Sequence, residues 1–420
     1  MGNVTILVGA QWGDEGKGKW IDILADKVHI VARYQGGNNA GHTLYVNGQK
    51  VVLHQIPSGI FHPEKTSALS TGVVVNPHQL VEEMQKVRPF VELTPERLWL
   101  SARAHVISPW HIYLDSKKEQ ESTQPIGTTK RGIGPTYAEK ANRTGLRLGD
   151  YVTKSRRDRW YQLMRESAPA FDAQWKVQAQ DWEQFEAAAE RLAPFVVDAE
   201  QKLRQAIKRG DQVLLEGAQG VLLDINHGTY PYVTSSETAA GGAFASLGFG
   251  PKFVNKIYGV AKAYVTRVGE GPFPTELKDE VGQHIAQVGK EFGATTGRPR
   301  RCGWLDAVAL RYSADLCGYD GIIFNKMDIL TGLQEIKVCV AYEHPELGRL
   351  DTFPWDLETL AACKPVYKTF AGWTEELPHG GRIHDLPRHA RAYVEGVQEI
   401  LGYPITMVGT GVNRQDALFA

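Results

Sequence analysis

Residues 11–19 have the composition of a phosphate-binding turn and read Gln-Trp-Gly-Asp-Glu-Gly-Lys-Gly-Lys. An apolar run at residues 4–8 precedes the turn and predicts a buried strand, and apolar residues at helical spacing follow it from Trp20 to Ala25. Glycine lets the backbone approach an anion closely, and backbone amides at the start of a helix favour negative charge. Because Lys17 adds a mobile positive charge, the stretch predicts a phosphate site.

Two features distinguish this turn from a Walker A loop. Six residues separate Gly9 from Gly16 where that pattern has four, and Gly18 stands where a magnesium-binding Ser or Thr would be. The turn also carries Asp14 and Glu15, whose negative charges would weaken a site for phosphate alone. We therefore expect one of these carboxylates to serve catalysis or metal binding. The alternative is a glycine-rich connection whose charges are solvated.

A second polar loop follows the next predicted strand, which spans residues 28–34. Ligands in open α/β sheets bind beyond the carboxyl ends of the strands, so both loops are expected to face one site. His42 lies in this loop beside Gly41, although a lone loop histidine is commonly only solvated or hydrogen-bonded. Asn-Gly at residues 47–48, between two apolar runs, predicts a β-hairpin immediately afterwards.

Further loops rich in glycine and polar residues span residues 126–135, 216–220, 224–234 and 291–301. The first has hydroxyl groups and a basic pair, which suit a phosphate, although a flexible surface loop would look the same. The last carries three arginines, whose guanidinium groups match carboxylates and phosphates bidentately. Gly297 and Pro299 indicate a shaped loop, which favours anion binding over a basic surface patch.

Residues 325–328 read Asn-Lys-Met-Asp and follow the predicted strand at residues 321–324. In GTP-binding proteins a motif of this form reads guanine, because its aspartate accepts hydrogen bonds from N1–H and the exocyclic amine. Adenine lacks that pair of donors and would leave the carboxylate unpaired. The motif is short, but its place after a strand, in a chain that begins with a phosphate-binding turn, strengthens the prediction. One more candidate loop, residues 409–414, follows a strand near the end of the chain.

Composition excludes several classes of protein. The formal net charge of −1 over 420 residues gives no electrostatic argument for nucleic acid or a membrane surface as partner. No run of 18 apolar residues and no signal peptide are present, so no transmembrane helix is predicted. The four cysteines are far apart and are typical of reduced thiols, which predicts a cytoplasmic protein.

Alternation of strand and helix signals predicts an α/β fold with a large, mostly parallel central sheet flanked by helices, similar to P-loop NTPases and carrying glycine-rich ligand loops. We expect residues 1–420 to form a single large catalytic domain with a helical insertion at about 151–208. The residues themselves indicate a magnesium-dependent guanine nucleotide site with additional acid–base groups. A regulatory GTPase is the alternative. A dinucleotide-binding oxidoreductase is a weaker one, since no Gly-x-Gly-x-x-Gly follows the first strand.

Eight motifs in one order cover nearly the whole chain and resemble the adenylosuccinate synthetase family. They are QWGDEGKGK (11–19), YQGGNNAGHT (34–43), IGTTKRGIGP (126–135), EGAQG (216–220), DINHGTYPYVTSS (224–236), TRVGEGPFPTE (266–276), EFGATTGRPRR (291–301) and NKMD (325–328). The chain departs from the family pattern at Lys130, where glycine is expected, at Asn38, where histidine is common, and in the 409–414 loop, which reads GTGVNR.

The resemblance implies the ligation of IMP and L-aspartate to adenylosuccinate, with release of GDP and phosphate, through a 6-phosphoryl-IMP intermediate. It implies Asp14 as the base that removes the proton from N1 of the purine, His42 as general acid at O6, and Lys17 as a further catalytic residue. One Mg²⁺ per subunit is expected on the Asp14 carboxylate and the Gly41 carbonyl. The resemblance also implies a homodimer in which Arg143 enters the partner subunit's site.

The remaining ligand contacts follow from the resemblance position by position. IMP is expected on Asn39, Thr129, Arg143, Gln219, Thr234 and Arg298. Aspartate is expected on Thr295, Thr296, Arg298 and Arg300. GTP is expected on Gly13, Glu15, Gly16, Lys17, Gly18, Lys19, Gly41, His42, Thr43, Arg300, Lys326, Met327, Asp328, Gly409, Thr410 and Gly411.

Overall fold

The computed structural model describes residues 2–46, 48–123, 126–168, 170–292 and 299–420. Its strands are β1 (Val4–Gly9), β2 (Ile30–Arg33), β3 (His42–Val46), β4 (Gln49–Leu53), β5 (Thr66–Leu69), β6 (Val74–Val75), β7 (Leu98–Ser101), β8 (His105–Val106), β9 (Val196–Val197), β10 (Val213–Glu216), β11 (Val254–Lys262), β12 (Val265–Arg267), β13 (Arg301–Gly303), β14 (Leu305–Asp306), β15 (Gly321–Asn325), β16 (Glu335–His344), β17 (Gly348–Leu350), β18 (Lys364–Ala371), β19 (Gly381–Arg382), β20 (Ile405–Gly409) and β21 (Ala417–Phe419).

Its helices are α1 (Lys17–Ala25), α2 (Pro77–Val87), α3 (Pro109–Glu121), α4 (Ile133–Asn142), α5 (Leu148–Tyr151), α6 (Lys154–Ser167), α7 (Phe171–Val177), α8 (Ala179–Leu192), α9 (Ala199–Arg209), α10 (Gly242–Leu247), α11 (Glu280–Val288), α12 (Ala307–Cys317), α13 (Leu357–Ala362) and α14 (Arg388–Leu401). None of the described helices has the length and apolar character needed to cross a membrane.

An 11-stranded sheet forms the centre of the fold, in the order β19-β21-β20-β15-β11-β1-β10-β2-β5-β7-β9. Its neighbours are parallel except for β20 and β21, which are antiparallel. The strands at its centre are continuous apolar runs because helices cover both faces of a parallel sheet. β10 and β15, for example, are buried at every residue. The predicted fold class is therefore confirmed.

The carboxyl ends of the parallel strands lie at one edge of the sheet. The loops that leave β1, β2, β10 and β15 therefore converge there, as predicted for the first two. The hairpin of β3 and β4, also predicted, continues from the second loop and pairs His42 with Leu53. A smaller sheet of β14, β16, β17 and β18 packs on the side of α12.

Two glycines that follow helical patterns in the sequence, Gly210 and Gly318, predict helix ends, and both predictions are confirmed. Gly210 and Gly318 end α9 and α12 with left-handed φ values of 95° and 65°, which glycine adopts without strain. The apolar spacing of Leu305, Val308, Tyr312 and Leu316 predicts a helix that begins at Leu305, but Leu305 lies on β14. Asp306 caps the helix instead, and its side chain accepts a hydrogen bond from the amide of Ala309 at 3.0 Å.

The segment predicted as a helical insertion, residues 151–208, is not helical throughout. Helices α6, α7 and α8 enclose a cluster of aromatic rings, among them Trp175 and Trp182, which stack at 4.2 Å. The short strand β9 then pairs with β7 and extends the edge of the central sheet. A two-residue strand is too short to leave a period-2 pattern, so the sequence did not reveal it.

Candidate active site

One large cavity, about 1240 Å³, opens at the carboxyl edge of the sheet. Loops that are far apart in sequence form its wall, and both the phosphate-binding turn and the second polar loop contribute. The wall includes these residues predicted for the site: Gly13, Asp14, Gly16, Lys17, Gly18, Lys19, Asn39, Gly41, His42, Thr43, Thr129, Gln219, Thr234, Arg300, Lys326 and Gly411.

Glu15 and Lys17 form a buried ion pair at the base of the phosphate-binding turn, with Nζ and Oε2 2.8 Å apart. The other oxygen of Glu15 accepts hydrogen bonds from the amides of Gln11 and Gly13 at 3.1 and 2.8 Å. Lys17 also donates to the carbonyl of Gln219 at 2.5 Å. The Glu15 carboxylate therefore folds the turn on itself and holds Lys17, and it does not line the cavity.

Asp14 has a different environment from its neighbour. Its backbone has a left-handed φ of 60°, and about a third of the side chain is exposed. It lies on the cavity wall, where its Oδ2 is 2.7 Å from Nε of Arg300. The same guanidinium contacts Glu291 at 2.5 Å. Asp14 is thus the carboxylate of the turn that a ligand can reach.

Glu291 is a buried carboxylate surrounded by cations. Lys326 and Lys262 place Nζ 2.6 and 3.5 Å from its Oε1, and Tyr264 donates its hydroxyl to the same oxygen. Burial alone would raise the pKa of Glu291, but Lys262, Lys326 and Arg300 hold it well below its ordinary value. Burial also lowers the pKa of Lys262 to about 8. Glu291 therefore connects Asp14, through Arg300, to the lysine of the Asn-Lys-Met-Asp motif.

His42 lies at the first residue of β3 and is nearly fully buried. Its Nδ1 contacts the carboxylate of Glu216, and Oγ of Ser58 is 3.1 Å from the same nitrogen. Gly18 explains how the ring fits, because a Cβ at that position would lie 3.1 Å from Cβ of His42. The hydroxyl-bearing residue of a Walker A loop would crowd this histidine.

Asn325 links the guanine motif to the phosphate-binding turn, since its side chain donates to the carbonyl of Glu15 at 2.8 Å. Asp328 follows in a short helical turn, and its Oδ1 is buried without a hydrogen-bond partner among the described residues. Burial raises the pKa of Asp328. Lys19 donates to the carbonyls of Gly411 and Asp416 at 2.8 and 2.7 Å, which fixes the C-terminal loop beside α1.

Two amide side chains of the cavity wall also lack partners in the described part of the chain. They are Asn39 and Gln219, whose Oδ1 and Oε1 atoms are buried. Buried polar groups are nearly always hydrogen-bonded in folded proteins. Together with Asp328, these atoms mark where a ligand would supply the missing donors.

Some predicted residues do not lie on the cavity wall. Met327 is fully buried in the core, and Thr410 is buried with its hydroxyl donated to the carbonyl of Pro378 at 2.6 Å. Glu15, Asp328 and Gly409 also lie behind the wall, and Arg143 is exposed at the end of α4. Thr295, Thr296 and Arg298 lie outside the described residues.

Lys130, the departure from the family pattern in the third loop, has a left-handed φ of 53°. That conformation is the reason why glycine suits the position. Lys130 is exposed and does not line the cavity, so the departure leaves the cavity wall unchanged.

Sequence reasoning missed Glu216, Ser58, Glu291 and Lys262. Glu216 was visible as a carboxylate at the carboxyl end of a buried strand, where polar side chains are uncommon unless a site needs them. Glu291 stood at the start of the arginine loop. Nothing in the sequence pointed to Ser58 or Lys262, because their partners lie far away in the chain.

The donor set on the wall fits Mg²⁺. This ion commonly binds through one or two carboxylates and completes its shell with water and substrate phosphates. Asp14 supplies one accessible carboxylate, and Gly41 lies on the same wall. The described residues contain no group of three or more His, Cys, Asp or Glu side chains placed to hold a metal.

Comparison with known proteins identifies the family. The family model described as adenylosuccinate synthetase matches residues 6–418. The adenylosuccinate synthetases of Desulforudis audaxviator and Desulfatibacillum aliphaticivorans are 47% and 48% identical, over 99% and 100% of this chain and 98% of each relative. The solved structure of the fully ligated adenylosuccinate synthetase of Plasmodium falciparum matches with a TM-score of 0.94 at 38% identity and covers 100% of both chains. The chain therefore belongs to the adenylosuccinate synthetase family, the GTP-dependent ligases that join IMP and aspartate.

Proposed function

We propose that this chain joins IMP and L-aspartate at the expense of GTP, with Asp14 as the catalytic base and His42 as the general acid. Asp14 removes the proton from N1 of IMP, and the O6 oxyanion attacks the γ-phosphorus of GTP and displaces GDP. The amino group of aspartate then displaces phosphate from C6 of the 6-phosphoryl-IMP intermediate and forms the C–N bond of adenylosuccinate. The observation that carries this assignment is the placement of Asp14, His42 and Arg300 on one cavity wall.

His42 is proposed to contact O6 and the transferred phosphoryl group through the ring nitrogen that faces the cavity. Lys17 stabilises charge on the phosphates from the base of the turn. Mg²⁺ would be held by the Asp14 carboxylate and the Gly41 carbonyl and would neutralise charge on the phosphates. For Asp14 to act, its pairing with Arg300 has to give way, and the carboxylate of the incoming aspartate offers Arg300 another partner.

The other ligand contacts stay as the sequence predicts them. For IMP they are Asn39, Thr129, Gln219, Thr234, Arg298 and Arg143 from the partner subunit. For aspartate they are Thr295, Thr296, Arg298 and Arg300. For GTP they are the 13–19 turn, residues 41–43, Arg300, residues 326–328 and residues 409–411. Glu15, Met327 and Thr410, being buried, would act through backbone groups or by shaping the loops.

A direct assay tests the function. The protein is incubated with GTP, IMP, aspartate and Mg²⁺, and the ultraviolet absorbance of the purine product is followed with each substrate omitted in turn. We expect product only when all are present. GTP hydrolysis that is independent of IMP and aspartate would contradict the ligase assignment and return the regulatory GTPase to consideration.

We also propose that the protein works as a cytoplasmic homodimer of single catalytic domains. Arg143 supports this, because it is exposed on its own subunit and does not line that subunit's cavity. Mixing the Asp14→Asn and Arg143→Leu variants tests whether Arg143 of one subunit completes the site of its partner. Mixed dimers contain one site with both native residues, so up to about a quarter of wild-type activity should return. An inactive mixture that nevertheless forms dimers would contradict a role for Arg143 across the interface.

A further inference from the structure

We infer that Glu216 is a positioning residue for His42: it keeps a proton on Nδ1 and turns Nε2 towards the cavity. The inference rests on the proposed function only in the role that it gives to His42. Glu216 is the last residue of β10, and its side chain is completely buried. It does not line the cavity, so it acts on the reaction only through a neighbour.

The hydrogen bonds around Glu216 define which atoms carry protons. Its Oε2 accepts from the backbone amide of Ser58 at 2.8 Å, and its Oε1 accepts from the Ser58 hydroxyl at 3.0 Å. Because Ser58 has donated its only hydroxyl proton, its Oγ presents a lone pair to Nδ1 of His42, 3.1 Å away. Nδ1 thus faces two acceptors, Oγ and the Glu216 carboxylate, and must be the donor.

Charge supports the same arrangement. Burial would raise the pKa of Glu216, but His42 and Arg33 hold it below its ordinary value, so the carboxylate is ionised. Both contacts of the ring engage Nδ1, which leaves Nε2 as the nitrogen for a ligand. A carboxylate that fixes the tautomer and orientation of a histidine in this way commonly changes activity when it is replaced.

The variant Glu216→Gln gives a specific prediction. The amide of Ser58 is a fixed donor, so the oxygen of the new side chain has to face it. The NH₂ group then faces Nδ1, which has to become an acceptor. The ring then holds at most one proton, on Nε2, and such a neutral imidazole is a weaker general acid than the doubly protonated ring that Nδ1–H and the Glu216 carboxylate permit. We expect kcat to fall about 10- to 100-fold, with KM for GTP and IMP changed less than about threefold.

Nitrogen-15 NMR of histidine-labelled protein without substrates reads the tautomer directly. We expect His42, whose signals are assigned by their loss in His42→Ala, to carry a proton on Nδ1 in the wild type and none on Nδ1 in Glu216→Gln. An Nδ1 without a proton in the wild type would overturn the inference, and that result does not depend on whether any variant folds. It is also independent of turnover, so failure of the proposed ligase function is a separate outcome.

Glu200→Gln is a matched control. Glu200 is likewise buried and accepts from a backbone amide, that of Thr71 at 2.8 Å, and from the hydroxyl of Ser101 at 2.9 Å, but it has no histidine partner among the described residues. We expect it to change neither the tautomer of His42 nor kcat. Introducing Glu216→Gln into a His42→Ala background completes the test. An unchanged fall in kcat there would mean that Glu216 acts structurally and would overturn the inference.

Discussion

The two ends of the cavity differ in how their polar groups are satisfied. At the phosphate end, residues 9–19, the Glu15 carboxylate accepts from two amides and pairs with Lys17. At the guanine end, residues 325–328 and 409–416, Asp328 keeps a buried oxygen with no partner in the described part of the chain. The protein alone completes the hydrogen bonding of the first end, whereas the second end needs a ligand.

From this difference we expect the phosphate end to contribute mainly to the stability of the fold and the guanine end mainly to nucleotide specificity. An unpaired buried acceptor costs roughly 1–3 kcal/mol, which the fold recovers when a matching donor binds. A base with the wrong donors would leave that cost in place, so we expect the guanine end to select the nucleotide. The phosphate end gains rigidity instead, because the Glu15 carboxylate already holds the amides of Gln11 and Gly13 before a nucleotide arrives. Substitutions at the two ends should therefore change different measurements.

The largest effect is expected for Asp14→Asn. Asp14 lies in the phosphate end but is partly exposed, so its replacement should remove the base without disturbing the turn. We expect kcat to fall by on the order of 10³-fold or more, while the Kd for GTP changes little. Steady-state kinetics and calorimetric titration measure the two quantities. Turnover close to that of the wild type would refute the assignment of Asp14 as base.

Asp328→Asn should change specificity by on the order of 10²-fold. The amide can donate to the C2 carbonyl of xanthine, and it no longer accepts two hydrogen bonds from guanine. The ratio of kcat/KM for GTP over xanthosine triphosphate is the measurement. The same substitution at the exposed Asp351 is the control. If the ratio for Asp328→Asn equals that of the control, Asp328 does not read the base.

Glu15→Gln should lower the free energy of unfolding by about 2 kcal/mol, since Lys17 loses its charge partner in a buried site. Urea denaturation of the ligand-free protein measures the change. The exposed pair of Lys154 and Asp158, 2.7 Å apart, provides the comparison. Asp158→Asn should cost less than about 0.5 kcal/mol. Equal losses of unfolding free energy in the two variants would mean that the buried Glu15–Lys17 pair stabilises the protein no more than an exposed pair does.

Lys130 lies outside both ends of the cavity, so Lys130→Gly should have the smallest effect and provides a reference for the other predictions. Glycine relieves the left-handed φ of 53° but makes the unfolded chain more flexible, so we expect stabilisation of at most about 1 kcal/mol. Thermal unfolding and kcat are measured together. Destabilisation, or a change in kcat beyond twofold, would show that the lysine side chain has a role of its own.

Sequence patterns predicted the sheet and the loops because their causes are local. A few adjacent residues determine a continuous apolar strand such as β15 and a helix end at a glycine such as Gly318. The start of α12 was missed because a helix-capping aspartate, Asp306, prevailed over a leucine at helical spacing. The polar loops that follow the first two strands likewise predicted one shared site, and Asp14 and His42 do line the same cavity.

Pairings between residues that are distant in the chain could not be predicted from the sequence. The contact of Arg300 with Asp14 and that of Glu216 with His42 join loops that come together only when the central sheet has formed. Burial is equally hard to predict from adjacent residues, and it makes Glu15 a structural group while Asp14, one residue earlier, stays accessible. The presence of a residue on the cavity wall was therefore easier to predict than its burial and its partners.

The hydrogen bond from Asn325 to the carbonyl of Glu15 has a consequence for which nucleotides can bind. It fixes the separation between the residues proposed to contact the base and the turn proposed to contact the phosphates. A nucleotide must then match two positions at a set distance, whatever its base. Analogues with a lengthened or shortened linkage between ribose and phosphate should be rejected on dimension alone, even when they carry guanine.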